Sequence, residues 1–239
     1  MLCELAYRWF CPPGGAVIDP FAGGSVRGIV AAMTGRQYTG VDLSERQIAA
    51  NRENWEDIKS EGAPLPAWVH GDSMSIDTLA PGAYDLLFTC PPYADLEVYS
   101  DKPEDISNKD YPEFITLYRA IVGKTAAMLK SDRFAMIVVG DIRDKEGRYR
   151  NFVSDTISAF QAAGMYLYNE AVLITAYGSL AIRAGKQFEH SRKLGKTHQN
   201  PRVLQRRPRG SRAGHRPCGR GGRNRDRQAA ERRIKESAP

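Results

Sequence analysis

Along residues 1–176, short apolar runs rich in β-branched and aromatic residues alternate with segments whose apolar positions recur every three or four residues. The runs predict strands at 16–18, 38–41, 67–70, 84–89, 134–139 and 166–175. Between them the clearest helix is predicted over 112–130, with Phe114, Leu117, Tyr118, Ile121, Val122 and Met128 on one face. A second helix opens at the capping box Ser44-Glu45-Arg46-Gln47 and continues through Trp55 and Ile58. A third is predicted over 151–163, stopped by Gly164. Alternation of this kind predicts an α/β fold, a mostly parallel sheet with helices on both faces.

The texture changes after Asn200. Residues 201–239 hold no Phe, Tyr or Trp, and 13 of their 39 positions are Arg or Lys. So little apolar surface cannot offset the entropy of ordering, so the expected organisation is one domain over 1–200 and a basic disordered tail over 201–239. Charge divides in the same way. The net +6 sums 18 basic and 25 acidic side chains in residues 1–190 with 16 basic and 3 acidic in 191–239. That excludes a uniformly basic protein that coats nucleic acid and leaves an acidic body with a cationic end.

No run of about 18 apolar residues exists, so no membrane association is expected. The run 1–10 carries Glu4 and Arg8 and has no small-residue cleavage site, unlike a signal peptide. Cys3, Cys11, Cys90 and Cys218 lie far apart without a CxxC pair, so neither a metal site nor a disulfide scaffold is expected. A reducing cytoplasm is the expected compartment.

Open α/β sheets bind ligands beyond the carboxyl ends of their strands. Three carboxylates fall there: Asp19 after the first strand, Asp42 after the second and Asp72 after the third. Pro20-Phe21-Ala22-Gly23-Gly24-Ser25 follows Asp19, a turn that allows backbone to approach a ligand before a helix begins near Val26. Asp42 lies 23 residues after Asp19, close to the spacing at which an acidic side chain grips ribose hydroxyls. The loop is not G-x-G-x-x-G, and three carboxylates around one pocket repel a diphosphate. They suit a ribose, an adenine amino group and positive charge, which fits S-adenosylmethionine better than NAD or ATP. The alternative is a tight turn at Gly23-Gly24 with the aspartates as helix caps. After the fourth strand comes Cys90-Pro91-Pro92-Tyr93, where two prolines end the ladder and stiffen the loop. It presents main-chain carbonyls and an aromatic ring at the ligand edge, or serves only as a strand-terminating turn.

Asp19-Pro20-Phe21-Ala22-Gly23-Gly24 followed by Cys90-Pro91-Pro92-Tyr93 resembles the amino-methylating DNA methyltransferases, class I S-adenosylmethionine enzymes with a Rossmann-like fold. Asp95-Leu96-Glu97-Val98-Tyr99-Ser100, Val139-Gly140-Asp141-Ile142-Arg143-Asp144 and Gly195-Lys196-Thr197-His198-Gln199-Asn200 are similar to the DNA methylases of phages and prophages. The resemblance covers residues 2–200. It implies methylation of the exocyclic N6 of adenine or N4 of cytosine in DNA. By the same resemblance, Asp19, Phe21 and Gly23, with Gly24 beside them, line the methionine end of S-adenosylmethionine. Asp42 takes the ribose hydroxyls, and Asp72 with Ser73 faces the adenine. The carbonyls of Cys90 and Pro91 accept from the target amine, Pro92 stiffens the loop, and Tyr93 stacks on a flipped base.

The chain departs from that family in three places. Cys90 stands where members most often have Asp, Asn or Ser; a thiol accepts weakly, so either the carbonyls carry more of the work or activity is lower, and the residue leaves adenine and cytosine both open. A cytosine-C5 enzyme with Cys90 as nucleophile is disfavoured, since that family places Pro before its Cys and lacks the following Pro-Pro-Tyr. The element that precedes the first helix in the family is expected to be missing. So is the last strand, because 201–207 reads Pro-Arg-Val-Leu-Gln-Arg-Arg, a genuine basic tail or a shifted reading frame. Candidate phosphate contacts are Arg143, Lys145, Arg148 and Arg150, with Arg183, Lys186, Arg192, Lys193 and Lys196; the alternative for each is a place in a solvated charged loop. Tyr99 and Tyr111 are candidates for the border of the base pocket. Alternatives to DNA methylation are an RNA or protein-amide methyltransferase, and a non-catalytic remnant that binds nucleic acid.

Overall fold

A computed structural model describes residues 1–207 except 97–98, 175–179 and 195, without the side chains of 95, 180–183, 186 and 187. The strands are β1 (Ala16–Asp19), β2 (Gln37–Asp42), β3 (Ala67–His70), β4 (Tyr84–Thr89), β5 (Leu129–Val139), β6 (Met165–Glu170), β7 (Leu173–Ile174) and β8 (His198–Arg206). The helices are α1 (Leu2–Phe10), α2 (Val26–Met33), α3 (Glu45–Ile58), α4 (Ile76–Leu79), α5 (Tyr111–Ala127), α6 (Phe152–Ala162) and α7 (Leu180–Ser191). Sheet order is β3-β2-β1-β4-β5-β8-β6, with β7 pairing with the start of β8. Neighbours from β3 to β5 pair in parallel, while β8 runs antiparallel to β5 and β6.

Successive strand residues point to opposite faces, and both faces are covered. Ile18, Val41, Leu87 and Ile137 pack with Phe114, Tyr118 and Phe160 of α5 and α6. Val17, Tyr38, Leu86 and Met136 pack on the other side with Tyr7, Ala31, Ile48 and Trp55 of α1, α2 and α3. At the amino end of β4, Asp85 accepts from Ala16 N, Lys130 Nζ and Arg133 Nε at 3.1, 2.7 and 2.9 Å, which ties the starts of β1 and β5 to it. Burial opposes its charge, yet these donors hold its carboxyl below the usual range.

Three sequence expectations are corrected. Residues 201–206 are not outside the fold; they form most of β8, with Val203 and Leu204 buried. Two apolar residues suffice because this strand is paired on both edges, and Arg206 Nη1 also donates to Ala126 O and Ala127 O at 2.8 Å each. Those bonds satisfy carbonyls at the end of α5, which stops at Ala127 rather than 130; Leu129 already pairs with Tyr84. The run 166–175 is broken into β6 and β7 opposite Pro201, which has no N–H to give and only accepts from Ala171 N. Among the described residues no helix is long and apolar enough to cross a membrane. Residues 208–239, which hold most of the expected tail, lie outside the described residues.

Candidate active site

At the carboxyl edge of the sheet, a cavity of about 680 Å³ lies between the loop after β1 and the loop after β4. This is the point where strand order reverses, from β1 outward to β2 on one side and to β4 on the other. Ten of the eleven expected site residues line it. Asp19 does not.

Asp19 is fully buried, and its two oxygens accept four hydrogen bonds. Oδ1 takes Phe21 N at 3.0 Å and Thr89 Oγ1 at 2.6 Å. Oδ2 takes Arg27 Nε at 2.6 Å and Tyr38 Oη at 2.8 Å. Burial, and then the Asp19 charge, push the Tyr38 phenol well up, so it remains the donor. Asp19 therefore joins β1, β2, β4 and α2, and the expectation that it lines the methionine end of the cofactor is corrected to a buried scaffold role. Arg27, which the sequence reading missed, completes the arrangement. Its Nη2 donates to Phe21 O and Ala22 O at 2.6 and 2.8 Å, fixing the carbonyls of the loop from inside. The sequence signal was an arginine in the first turn of α2, eight residues after an aspartate.

The glycines behave differently from each other. Gly23 has φ +50°, the left-handed region that favours glycine. Its N–H donates to Asp42 Oδ2 at 2.8 Å, and its carbonyl accepts from Asn51 Nδ2 at 2.8 Å. Asn51 is oriented by Gln47 Nε2 at 2.9 Å. Ser44 caps α3 by accepting from Gln47 N, but the Gln47 side chain turns to Asn51, so the reciprocal half of the expected capping box is not formed. At Gly24 an added Cβ meets nothing within 4 Å. The protein's own packing does not demand glycine there; space in the cavity is what its small size provides.

Asp42 accepts from Gly23 N and from Ser44 N, each at 2.8 Å, which leaves about two of its four acceptor positions for a ligand. Asp72 lines the cavity and also caps a short turn, accepting from Met74 N at 2.8 Å. Asp72 thus caps this turn and lines the cavity at once. Ser73 is buried and donates to Pro20 O, so its hydroxyl joins the turn after β3 to the turn after β1. Phe21 stacks on Tyr118 of α5 at 6.2 Å.

From the other side come Cys90, Pro91, Pro92 and Tyr93. The Tyr93 ring meets Phe152 edge-on at 6.0 Å, and its hydroxyl lies between Cys90 and the Gly140 backbone. Burial, then the neighbouring thiol, raise the Tyr93 phenol well above its ordinary range, so it stays neutral. Tyr99 borders the cavity as expected from sequence; Tyr111 does not, since it stacks on Phe114 and donates to Asp155 Oδ2 at 2.8 Å. The sequence reading also missed Lys102, whose Nζ reaches Leu43 O at 2.8 Å across the mouth. Lining carboxylates are Asp42, Glu45, Asp72, Glu104 and Asp105; the lining cations other than the Asp19-paired Arg27 are Arg46 and Lys102. Among the described residues no group of three or more His, Cys, Asp or Glu is placed to hold a metal ion.

Comparison with solved structures places this architecture. TrmN from Thermus thermophilus superposes with a TM-score of 0.56 at 16% identity, covering 86% of this chain and 48% of its own. The chain thus spans about half the length of TrmN. Magnesium protoporphyrin IX methyltransferase (ChlM) from Synechocystis PCC 6803, solved with bound S-adenosylmethionine, gives 0.53 at 14% identity, covering 81% and 71%. The chain shares the Rossmann-like fold of these proteins. TehB from Haemophilus influenzae gives 0.52 at 13% identity, covering 86% and 61%. No protein-family model matches the sequence, and no curated protein matches it. On this fold the cavity occupies the crevice at the strand-order reversal, with the glycine loop on one wall and the 90–93 loop on the other.

Proposed function

We propose that the protein transfers a methyl group from S-adenosylmethionine to the exocyclic amine of adenine (N6) or cytosine (N4) in DNA. The observation that carries this reading is the single cavity bounded by the glycine loop after β1 and by Cys90-Pro91-Pro92-Tyr93 after β4. The fold, the presence of S-adenosylmethionine in ChlM, and the excess of carboxylates in the lining support a cationic nucleoside as cofactor. The open space at Gly24 fits it as well.

Bound S-adenosylmethionine supplies an electrophilic methyl group on a positively charged sulfur. The chain's part is to hold and activate the acceptor. An exocyclic amine is a poor nucleophile because its lone pair is conjugated into the ring. Pro91 and Pro92 have no N–H, so the loop presents carbonyl acceptors there without competing proline donors. Carbonyls of Cys90 and Pro91 directed at the amine N–H bonds stabilise the positive charge that develops as nitrogen rehybridises. Tyr93, neutral throughout the working pH range, acts as a stacking surface and not as a base. Asp42 and Asp72 line the same cavity, and in this reading they serve the cofactor's ribose and adenine.

The test separates binding from turnover. Tyr93→Ala is expected to keep S-adenosylmethionine affinity within about threefold by calorimetry while methylation of DNA falls about 10–100-fold, the value of one lost base-stacking contact. Unchanged turnover in that variant contradicts the assignment of the 90–93 loop.

A further inference from the structure

Beside the acidic cavity stands a feature of opposite charge. Residues 142–150 form a hairpin after β5: Arg143 bridges Tyr149, Asp144 N donates to Arg148 O at 2.9 Å, and Arg150 N to Ile142 O at 3.0 Å. Lys193 and Lys196 lie against it, with the Lys193 side chain over Gly147 and Lys196 Nζ near the Tyr149 ring. Residues 141–150 and 192–196 together hold seven basic and three acidic side chains.

The three acidic groups are accounted for unequally. Asp141 pairs with Lys196, and Asp144 Oδ1 accepts from Arg148 N at 2.7 Å, leaving Glu146 as the exposed acid at the tip. The cations are pre-arranged. Arg143 lies over the Tyr149 ring at 3.8 Å and donates to Gly147 O at 2.6 Å, while Lys196 Nζ is 5.6 Å from the same ring. Lys145 and Arg148 are exposed.

Both ends of this hairpin run to the same side chain. Gly140, two residues before it, lies beside the Tyr93 hydroxyl, and Phe152, two residues after it, packs on the Tyr93 ring. The base of the hairpin is thus anchored at Tyr93 of the 90–93 loop.

We infer that the hairpin 142–150 is the surface that grips the phosphate backbone of the DNA strand whose base enters the cavity past Tyr93, with Lys145 and Arg148 as the contacting side chains. The inference rests on the proposed methylation of DNA and adds to it the element that positions the strand. Phosphate contacts of this kind set register and steepen salt dependence without reading sequence. Arg192 and Lys193 extend the same basic surface; the candidates Arg183 and Lys186 have side chains outside the described residues.

The test uses the full chain, a fluorescein-labelled 20-base-pair duplex and anisotropy titrations between 50 and 300 mM NaCl, alongside calorimetry with S-adenosylmethionine. The Lys145→Ala/Arg148→Ala variant is expected to bind DNA more weakly. Its plot of log affinity against log salt should be shallower by about 2, about 1 for each lost phosphate contact. Cofactor affinity is expected to be unchanged, since neither residue lines the cavity. A slope and affinity equal to those of the unmodified protein overturn the inference and leave the methyltransferase reading standing. Failure of the unmodified protein to bind S-adenosylmethionine overturns that reading and is seen in a separate channel. A weakening confined to an RNA duplex of the same sequence overturns DNA as the occupant.

Discussion

Replacing Asp19 by alanine lowers the unfolding free energy by about 3–5 kcal/mol, the range for removing one partner of a buried ion pair. The size follows from what is left behind. Arg27 stays largely buried opposite an empty position, and Tyr38, Thr89 and the Phe21 amide lose their acceptor together. Because Arg27 also fixes Phe21 O and Ala22 O, the loop after β1 loses its internal support and cofactor affinity falls with stability. Urea denaturation with and without S-adenosylmethionine measures both. A loss below about 1 kcal/mol accompanied by abolished cofactor binding contradicts the scaffold role and returns Asp19 to direct ligand contact.

The second large effect is of the opposite kind. Gly24→Leu is expected to leave unfolding free energy within about 1 kcal/mol of the original, because a side chain there begins in open space. Its apolar branch occupies the cavity, and S-adenosylmethionine affinity is expected to fall at least about 100-fold, or roughly 2.7 kcal/mol. Calorimetry and thermal denaturation on the same sample read the two quantities. The pair of variants thus distinguishes a residue that builds the site from one that leaves room for its ligand.

Much of this was legible in the sequence because the signals are local. The four parallel strands that end at the cavity, the turn at Gly23-Gly24 and the proline-stiffened loop at 90–93 each announce themselves within a few residues. What was misread depends on partners distant in the chain. The direction of the Asp19 carboxylate is set by Tyr38 from β2, Thr89 from β4 and Arg27 from α2. Strand β8 carries only Val203 and Leu204 as buried aliphatic residues, and its place is fixed by ladders on both edges. The end of α5 is set by Arg206, some 80 residues away, so helical periodicity alone ran past it.

The charge pattern also changes meaning with the fold. A net +6 describes neither working surface. The cavity wall is acidic, as a cationic cofactor requires, while seven basic residues fall in two short segments, one of them the hairpin whose flanking residues Gly140 and Phe152 meet Tyr93. Surfaces of opposite charge suit a cationic methyl donor and a polyanionic acceptor.

The central claim is methyl transfer to a base amine, and the product tests it most directly. Duplex DNA is incubated with the protein and S-adenosylmethionine carrying an isotopically labelled methyl group, then digested to nucleosides for mass spectrometry. The predicted result is label on N6-methyladenine or N4-methylcytosine, lost in Tyr93→Ala. Unlabelled nucleosides from protein that binds S-adenosylmethionine would contradict it.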